Sequence, residues 1–218
     1  MKTSDLKDTS EVGQGLSQEE PINFSDSKTR FMTDRCRGKK VLDLGCVMHN
    51  TSSYNSQYFL HRAIREVAGE LVGLDLHESG VEALRQRGYE VVAGDAENFS
   101  FPNSFDVIVA GDLIEHLGNV DGFLQSCMRA LKPGGMILIQ TPNPWYWRNV
   151  VKAVLHVEVP NNPEHTCWFD PRTLRQLISR YGLTLGQVEF QSRYARDRLM
   201  PLPRGLKHTS WAAEIRQA

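Results

Sequence analysis

Short apolar runs separated by mixed polar stretches recur along this chain. Val41-Leu42-Asp43-Leu44-Gly45 is the first, and Leu71-Val72-Gly73-Leu74-Asp75 repeats its form thirty residues later. Neither run alternates, and each ends on a glycine or a carboxylate. Strands covered on both faces of a parallel sheet read this way. Tyr89 to Ala96 and Phe105 to Gly111 continue the series. Leu131-Lys132-Pro133-Gly134-Gly135 turns into a fifth strand, Met136 to Gln140. Leu183 to Gln191 and His208 to Ile215 complete it. Between the strands, helical spacing predicts helices over about 56–68, Ser79 to Arg87 and Asp121 to Ala130. The second stops at Gly88, a residue suited to the left-handed C′ position. Asp112 to Leu117 is expected to enter a helix after strand four. Asp170-Pro171 is a helix start, with Asp as N-cap and Pro at N1.

In an open α/β sheet, ligands bind beyond the carboxyl ends of the strands. Gly45 and Asp75 therefore belong to the rim of one cleft, with Asp75 placed to accept from the two hydroxyls of a ribose. Asp95, at the third strand end, is suited to accept from the exocyclic amine of adenine. A nicotinamide dinucleotide needs G-x-G-x-x-G so that backbone amides can meet a diphosphate. Here Gly45 is followed by Cys46, Val47, Met48, His49 and Asn50, so both later glycines are missing and side-chain bulk opposes close approach. S-adenosylmethionine (SAM) carries no phosphate and tolerates a single-glycine turn.

Five motifs in this order, VLDLGC at 41–46, VGLDL at 72–76, GDAENFSF at 94–101, FDVIVAGDLIEHL at 105–117 and LKPGG at 131–135, resemble those of the class I SAM-dependent methyltransferases, in the broad branch that includes quinone-biosynthesis enzymes. The resemblance covers roughly residues 38 to 190. It implies a Rossmann-like, doubly wound, seven-stranded and mostly parallel α/β sheet with an antiparallel last strand. It implies SAM as cofactor, with Asp43, Gly45 and Cys46 at the methionine end, Asp75 and Leu76 at the ribose, Asp95 and Ala96 at the adenine, and the Gly111 backbone beside the sulfonium. The chain departs from the family at Cys46 to Asn50, where a second glycine is usual. The SAM carboxylate therefore lacks an assigned partner, and His49, Asn50 and Arg35 are the candidates.

The 218 residues suffice for one well-cored domain. We expect an N-terminal arm over 1–29, a methyltransferase domain over 30–218 and a cap insertion at about 141–169. The arm carries three lysines against six acids and reads either as mobile or as a lid over the cofactor. The net charge of −1 argues against tight non-specific nucleic-acid binding. Residues 191–218 carry six Arg/Lys against two acids, which either steer an anionic substrate or form a solvated face. The four cysteines show neither C-x-x-C nor zinc spacing, and a reducing cytoplasm is the expected setting. No apolar run suits a membrane span, and the N-terminal residues do not read as a secretory signal.

Trp145, Trp147 and Trp168 fall in the cap. They either cup a small-molecule substrate or pack the cap onto the sheet. Asn143-Pro144-Trp145-Tyr146 superficially resembles the N-P-P-Y of adenine-N6 methyltransferases, but it follows strand five rather than four and its third residue differs. His165 and His116 are the candidate catalytic residues. Transfer to a hydroxyl needs a proton acceptor, and imidazole suits that role. Each histidine also has a purely structural reading: helix entry for His165, a common feature of the branch for His116. No metal cluster emerges from spacing. The expected activity is methyl transfer from SAM to a small molecule, by O-methylation. The alternatives are a SAM-binding or partner-binding module without turnover, and NAD-dependent redox chemistry. The oligomeric state is not specified by the sequence.

Overall fold

The computed structural model describes residues 19–48, 51–157, 162–192 and 194–218. Its strands are β1 (Lys40–Leu44), β2 (Glu70–Asp75), β3 (Val91–Ala93), β4 (Phe105–Gly111), β5 (Leu131–Pro142), β6 (Leu183–Gln191) and β7 (Ser210–Gln217). The helices that position the site are α1 (Ser27–Cys36), α2 (Leu60–Arg65), α3 (Glu78–Gln86), α4 (Val120–Ala130), α5 (Trp147–Val154) and α6 (Pro171–Ile178). The strands form one sheet in the order β3-β2-β1-β4-β5-β7-β6. Pairings from β3 to β5 are parallel, and β7 runs antiparallel to both neighbours. This is the doubly wound fold expected, and its strand order reverses between β1 and β4. That switch point opens a crevice at the strand ends.

Alternation assigns residues to the two faces. Val41, Val107 and Val109 meet Phe31, Met32 and Cys36 of α1 and Ile64 of α2. Leu42, Leu44, Ile108 and Ala110 face the other way, into a core with Phe123, Leu124 and Cys127 of α4 and Leu174 and Ile178 of α6. The capping of α6 follows its sequence: the Asp170 side chain accepts from the Arg172 and Thr173 amides. Trp211 on β7 is fully buried, and its indole N–H donates to the Phe169 carbonyl at 3.1 Å, tying the end of the cap to the sheet.

Five elements differ from expectation. β5 starts at Leu131 and runs to Pro142, so the segment expected as a turn before Met136 lies within the strand. The helix over 56–68 is confined to α2, because Thr51–Asn55 forms a 3-10 turn and Phe59 is still extended. After β4 there is only a 3-10 turn, Ile114–His116. It stops because Leu117 is extended and the Gly118 and Asn119 amides donate to Glu97 Oε1, while the Asn119 side chain caps α4. β3 is three residues long, since Asp95 turns back to receive the Glu97 amide. β7 begins two residues later than expected, at Ser210. The expected arm at 1–29 falls largely outside the described residues, and its end enters α1 at Ser27.

Gly73 in β2 sits where the sheet meets the loop after β1. A Cβ there would lie 2.6 Å from Cys46 Sγ and Val91 Cγ1, and 2.9 Å from His61 Cε1. Overpacking of this kind costs roughly 1–3 kcal/mol. Gly73→Ala is therefore expected to lower the thermal midpoint clearly, and an unchanged midpoint would show that this packing is loose.

Candidate active site

A cavity of about 410 Å³ opens at the switch point. Its volume is within the range of roughly 300–1,000 Å³ usual for small-molecule sites. Gly45 and Gly111, the residues at the tips of β1 and β4, both line it. Gly45 has φ +72°, a left-handed turn that a side chain would strain, and its amide donates to Leu74 O at 2.9 Å. A Cβ on Gly111 would come within 2.9 Å of Leu60 Cδ2, so the backbone stays bare where it meets the cavity. Asp43, 3 % exposed, lies at the floor with its Oδ2 2.8 Å from Nδ1 of buried His61. Cys46 and Met48 also line the wall.

The rim holds a second acid. Asp112 adopts φ +52°, an uncommon conformation for a residue other than glycine. Its carboxylate accepts from Gln140 Nε2 at 2.7 Å and pairs with Lys28 of α1. Lys28 thus brings the first turn of α1 to the mouth of the cavity. Arg35, a candidate partner for the SAM carboxylate, is elsewhere: it donates to Glu214 Oε1 at 2.6 Å and to Gln187 Oε1 at 2.9 Å, clamping α1 to the far strands. His49 and Asn50, the other candidates, lie outside the described residues.

The Arg35–Glu214 clamp has a pH signature. Burial pushes the Glu214 carboxyl up, but hydrogen bonds from Arg35 and Arg216, with their charges, outweigh it and hold it below the usual glutamate value. A depressed carboxylate stabilises the fold above its unfolded value, and that contribution is lost as pH falls through its folded value. Stability is expected to fall more steeply below about pH 4.5 in the parent than in Glu214→Gln, as measured by urea unfolding at a series of acidic pH values. Parallel curves would remove the clamp.

The adenosine half is arranged differently from the sequence expectation. Asp75 stands at the tip of β2, but its Oδ2 accepts from the Val47 amide and its Oδ1 from the His77 amide, each at 2.9 Å. Val47 fills the space against the first turn of α3, where a Cβ on Gly80 would meet its Cγ1 at 2.2 Å. Leu76 is exposed and Ala96 packs on the core. Asp75, Leu76, Asp95 and Ala96 are not part of the cavity lining, whereas Asp43, Gly45, Cys46 and Gly111 are. The residue that stands where the second glycine is usual thus binds the tip of β2 through its backbone amide. Two of roughly four lone-pair positions on the Asp75 carboxylate remain for a ribose.

The same cavity brings together residues far apart in sequence. Glu115 is 2 % exposed, and Thr141 Oγ1 donates to its Oε2 at 2.9 Å. Thr166 binds the same turn: its amide donates to Glu115 O at 2.8 Å and its hydroxyl to Leu117 O at 2.7 Å. His165 is thereby set against His116, with ring centroids 4.7 Å apart and planes at 89°. Both histidines and Glu115 line the cavity. Burial, then the Asp112 charge, pushes the Glu115 carboxyl up to about 7. Burial, then the neighbouring His116, lowers the His165 imidazole.

Sequence spacing gave no metal cluster, because His165 and Glu115 are fifty residues apart. Folding places ligand atoms of Glu115, His116 and His165 all within 4.8 Å of one another. The tryptophans are not in this cavity. Trp145 and Trp168 edge a separate apolar groove with Val150, Ala153 and Val154, and the Trp145 indole donates to Asp170 Oδ2 at 3.0 Å. His61, Asp112, Lys28 and Glu115 are site residues that motif reading passed over. Only Glu115 carried a signal, as the neighbour of His116.

A family model described as a methyltransferase domain matches residues 19–188. The chain belongs to the class I SAM-dependent methyltransferases. It is 31% identical over 152 residues to a ubiquinone biosynthesis O-methyltransferase of Idiomarina loihiensis, covering 66% of this chain and 56% of that protein. The chain spans about half the length of the curated relatives it matches. In fold it is similar to a SAM-dependent methyltransferase from Archaeoglobus fulgidus, with TM-score 0.65 and 18% identity over 88% of this chain and 92% of that one. A SAM-dependent methyltransferase from Mesorhizobium loti gives TM-score 0.60 and 19% identity over 87% and 95%. SAM is the cosubstrate of this family. The donor set fits it: a buried carboxylate at Asp43, bare backbone at Gly45 and Gly111, and an acceptor at Asp75. Among the described residues, no helix is long and apolar enough to cross a membrane.

Proposed function

We propose that this chain transfers a methyl group from SAM to a hydroxyl of a small molecule. The observation that carries the reading is one cavity lined by a buried acid, two bare glycines and two imidazoles. SAM supplies an already activated, electrophilic methyl carbon. The protein's task is then alignment and management of the acceptor's proton. Asp43, held by His61, receives the ammonium of the methionine moiety. The Gly45 and Gly111 backbones allow the sulfonium to sit between the tips of β1 and β4. Cys46 lies beside them, and Asp75 and Leu76 take the ribose, with Asp95 and Ala96 at the adenine. The acceptor hydroxyl lies toward His116 and His165, where His165 receives its proton. The O-methyltransferase relative supports oxygen as the acceptor atom.

In this reading residues 1–29 form an arm whose last residues deliver Lys28 to the rim, and 30–218 form the methyltransferase domain with its cap at about 141–169. The four cysteines are free thiols, which suits a reducing cytoplasm. A second reading, a SAM-binding module without turnover, draws support from the absent second glycine in the turn after β1, where Cys46, Val47 and Met48 follow Gly45. Incubation with methyl-labelled SAM and a panel of hydroxylated small molecules separates them. Label in an ether product supports O-methylation. SAM binding with no label in any product favours the module.

A further inference from the structure

We propose that Glu115, His116 and His165 hold a divalent cation of the zinc class at the acceptor end of the cavity. One carboxylate and two imidazoles converge there, with ligand atoms all within 4.8 Å. This donor set, with positions left open toward a cavity, suits a borderline divalent ion.

The unmet bonds point the same way. Glu115 is almost wholly buried, yet its Oε1 makes no hydrogen bond within the described structure. Nδ1 of His165 is likewise buried and without a partner. Leaving a buried polar atom unsatisfied costs about 1–3 kcal/mol, and the two residues that carry these atoms line the same cavity. One cation satisfies both. The remaining groups are already arranged as supports. Thr141 fixes the second carboxylate oxygen of Glu115 at 2.9 Å. Thr166 ties the cap residue next to His165 onto the Glu115 turn. Outer contacts of this kind orient ligands. The perpendicular imidazole planes let the two rings approach one point from different directions. Ligand atoms about 2.1 Å from an ion lie closer together than 4.8 Å, so side-chain shifts on the order of an ångström complete the set. Lys28, the nearby cationic side chain, is engaged with Asp112.

The chemical consequence rests on the reading that the acceptor lies at this end. A hydroxyl bound to the cation is a stronger acid, so its proton can leave to water. His165 is then a ligand rather than the base of the simpler scheme.

The test uses the full chain, stripped with a chelator and titrated with Co²⁺ by visible absorption and with Zn²⁺ by calorimetry. The expected result is one equivalent bound, with a ligand-field band. Affinity should fall at least about tenfold in each of His165→Asn, His116→Asn and Glu115→Gln, the scale of ligand-sphere losses. Circular dichroism and S-adenosylhomocysteine affinity serve as controls for folding. Absence of saturable binding at millimolar metal, or binding that survives His165→Asn and His116→Asn unchanged, overturns the site. Homocysteine-nucleoside binding without metal binding overturns the site and leaves the methyltransferase reading in place. Metal binding without nucleoside binding supports the site and removes that reading.

Discussion

Asp43→Asn should weaken S-adenosylhomocysteine binding by about 10- to 100-fold while the protein stays folded. The carboxylate is buried at the cavity floor, where a hydrogen bond to a charged group is worth roughly 1.5–3 kcal/mol. Each 1.4 kcal/mol is about tenfold in affinity. Asparagine keeps an oxygen for the His61 ring 2.8 Å away, so the loss reports the charge and not the packing. Asp43→Ala leaves that ring without its partner and is expected to cost a further 1–3 kcal/mol or so of stability. Calorimetric titration of the Asn variant, alongside urea unfolding of both variants, separates the two effects. An Asn variant that binds as tightly as the parent would mean that the methionine end does not rest on Asp43.

His165→Ala is expected to lower turnover by about 10²- to 10⁴-fold, the range for a positioned group that manages a proton. S-adenosylhomocysteine affinity should stay within about twofold, because the ring packs on His116 and on Trp168 of the cap. The expectation holds whether the imidazole receives the acceptor's proton or ligates a cation that acidifies it. Initial rates on a methyl acceptor found by the labelling screen, with calorimetry on the same preparation, make the comparison. Equal loss of cofactor affinity and turnover would move His165 out of the acceptor end and into the cofactor end.

Much of the sheet was legible because each buried strand carries its own signature. Phe105–Gly111 and Leu183–Gln191 match the expected bounds. The strand tips Gly45 and Gly111 fall at the cavity because strand order, and not local sequence, decides where the sheet switches direction. Legibility failed where distant residues decide the outcome. The turn at Ile114–His116 stays short because Glu97, some twenty residues upstream, takes the amides of Gly118 and Asn119. Glu115 and His165 meet only because Thr166 docks on the turn after β4. The replacement of a glycine by Val47 was visible, but neither its packing on the first turn of α3 nor the bond from its backbone amide to Asp75 was. An amide that reaches the tip of β2 is a tertiary contact, and a motif read along the chain has no term for it.

A crystal structure of the chain with S-adenosylhomocysteine tests the central claim most directly. The account predicts the homocysteine amine on Asp43, the sulfur between the tips of β1 and β4, and the sulfur facing Glu115, His116 and His165. A nucleoside seated in the tryptophan-edged groove, or a sulfur turned away from those three side chains, would contradict it.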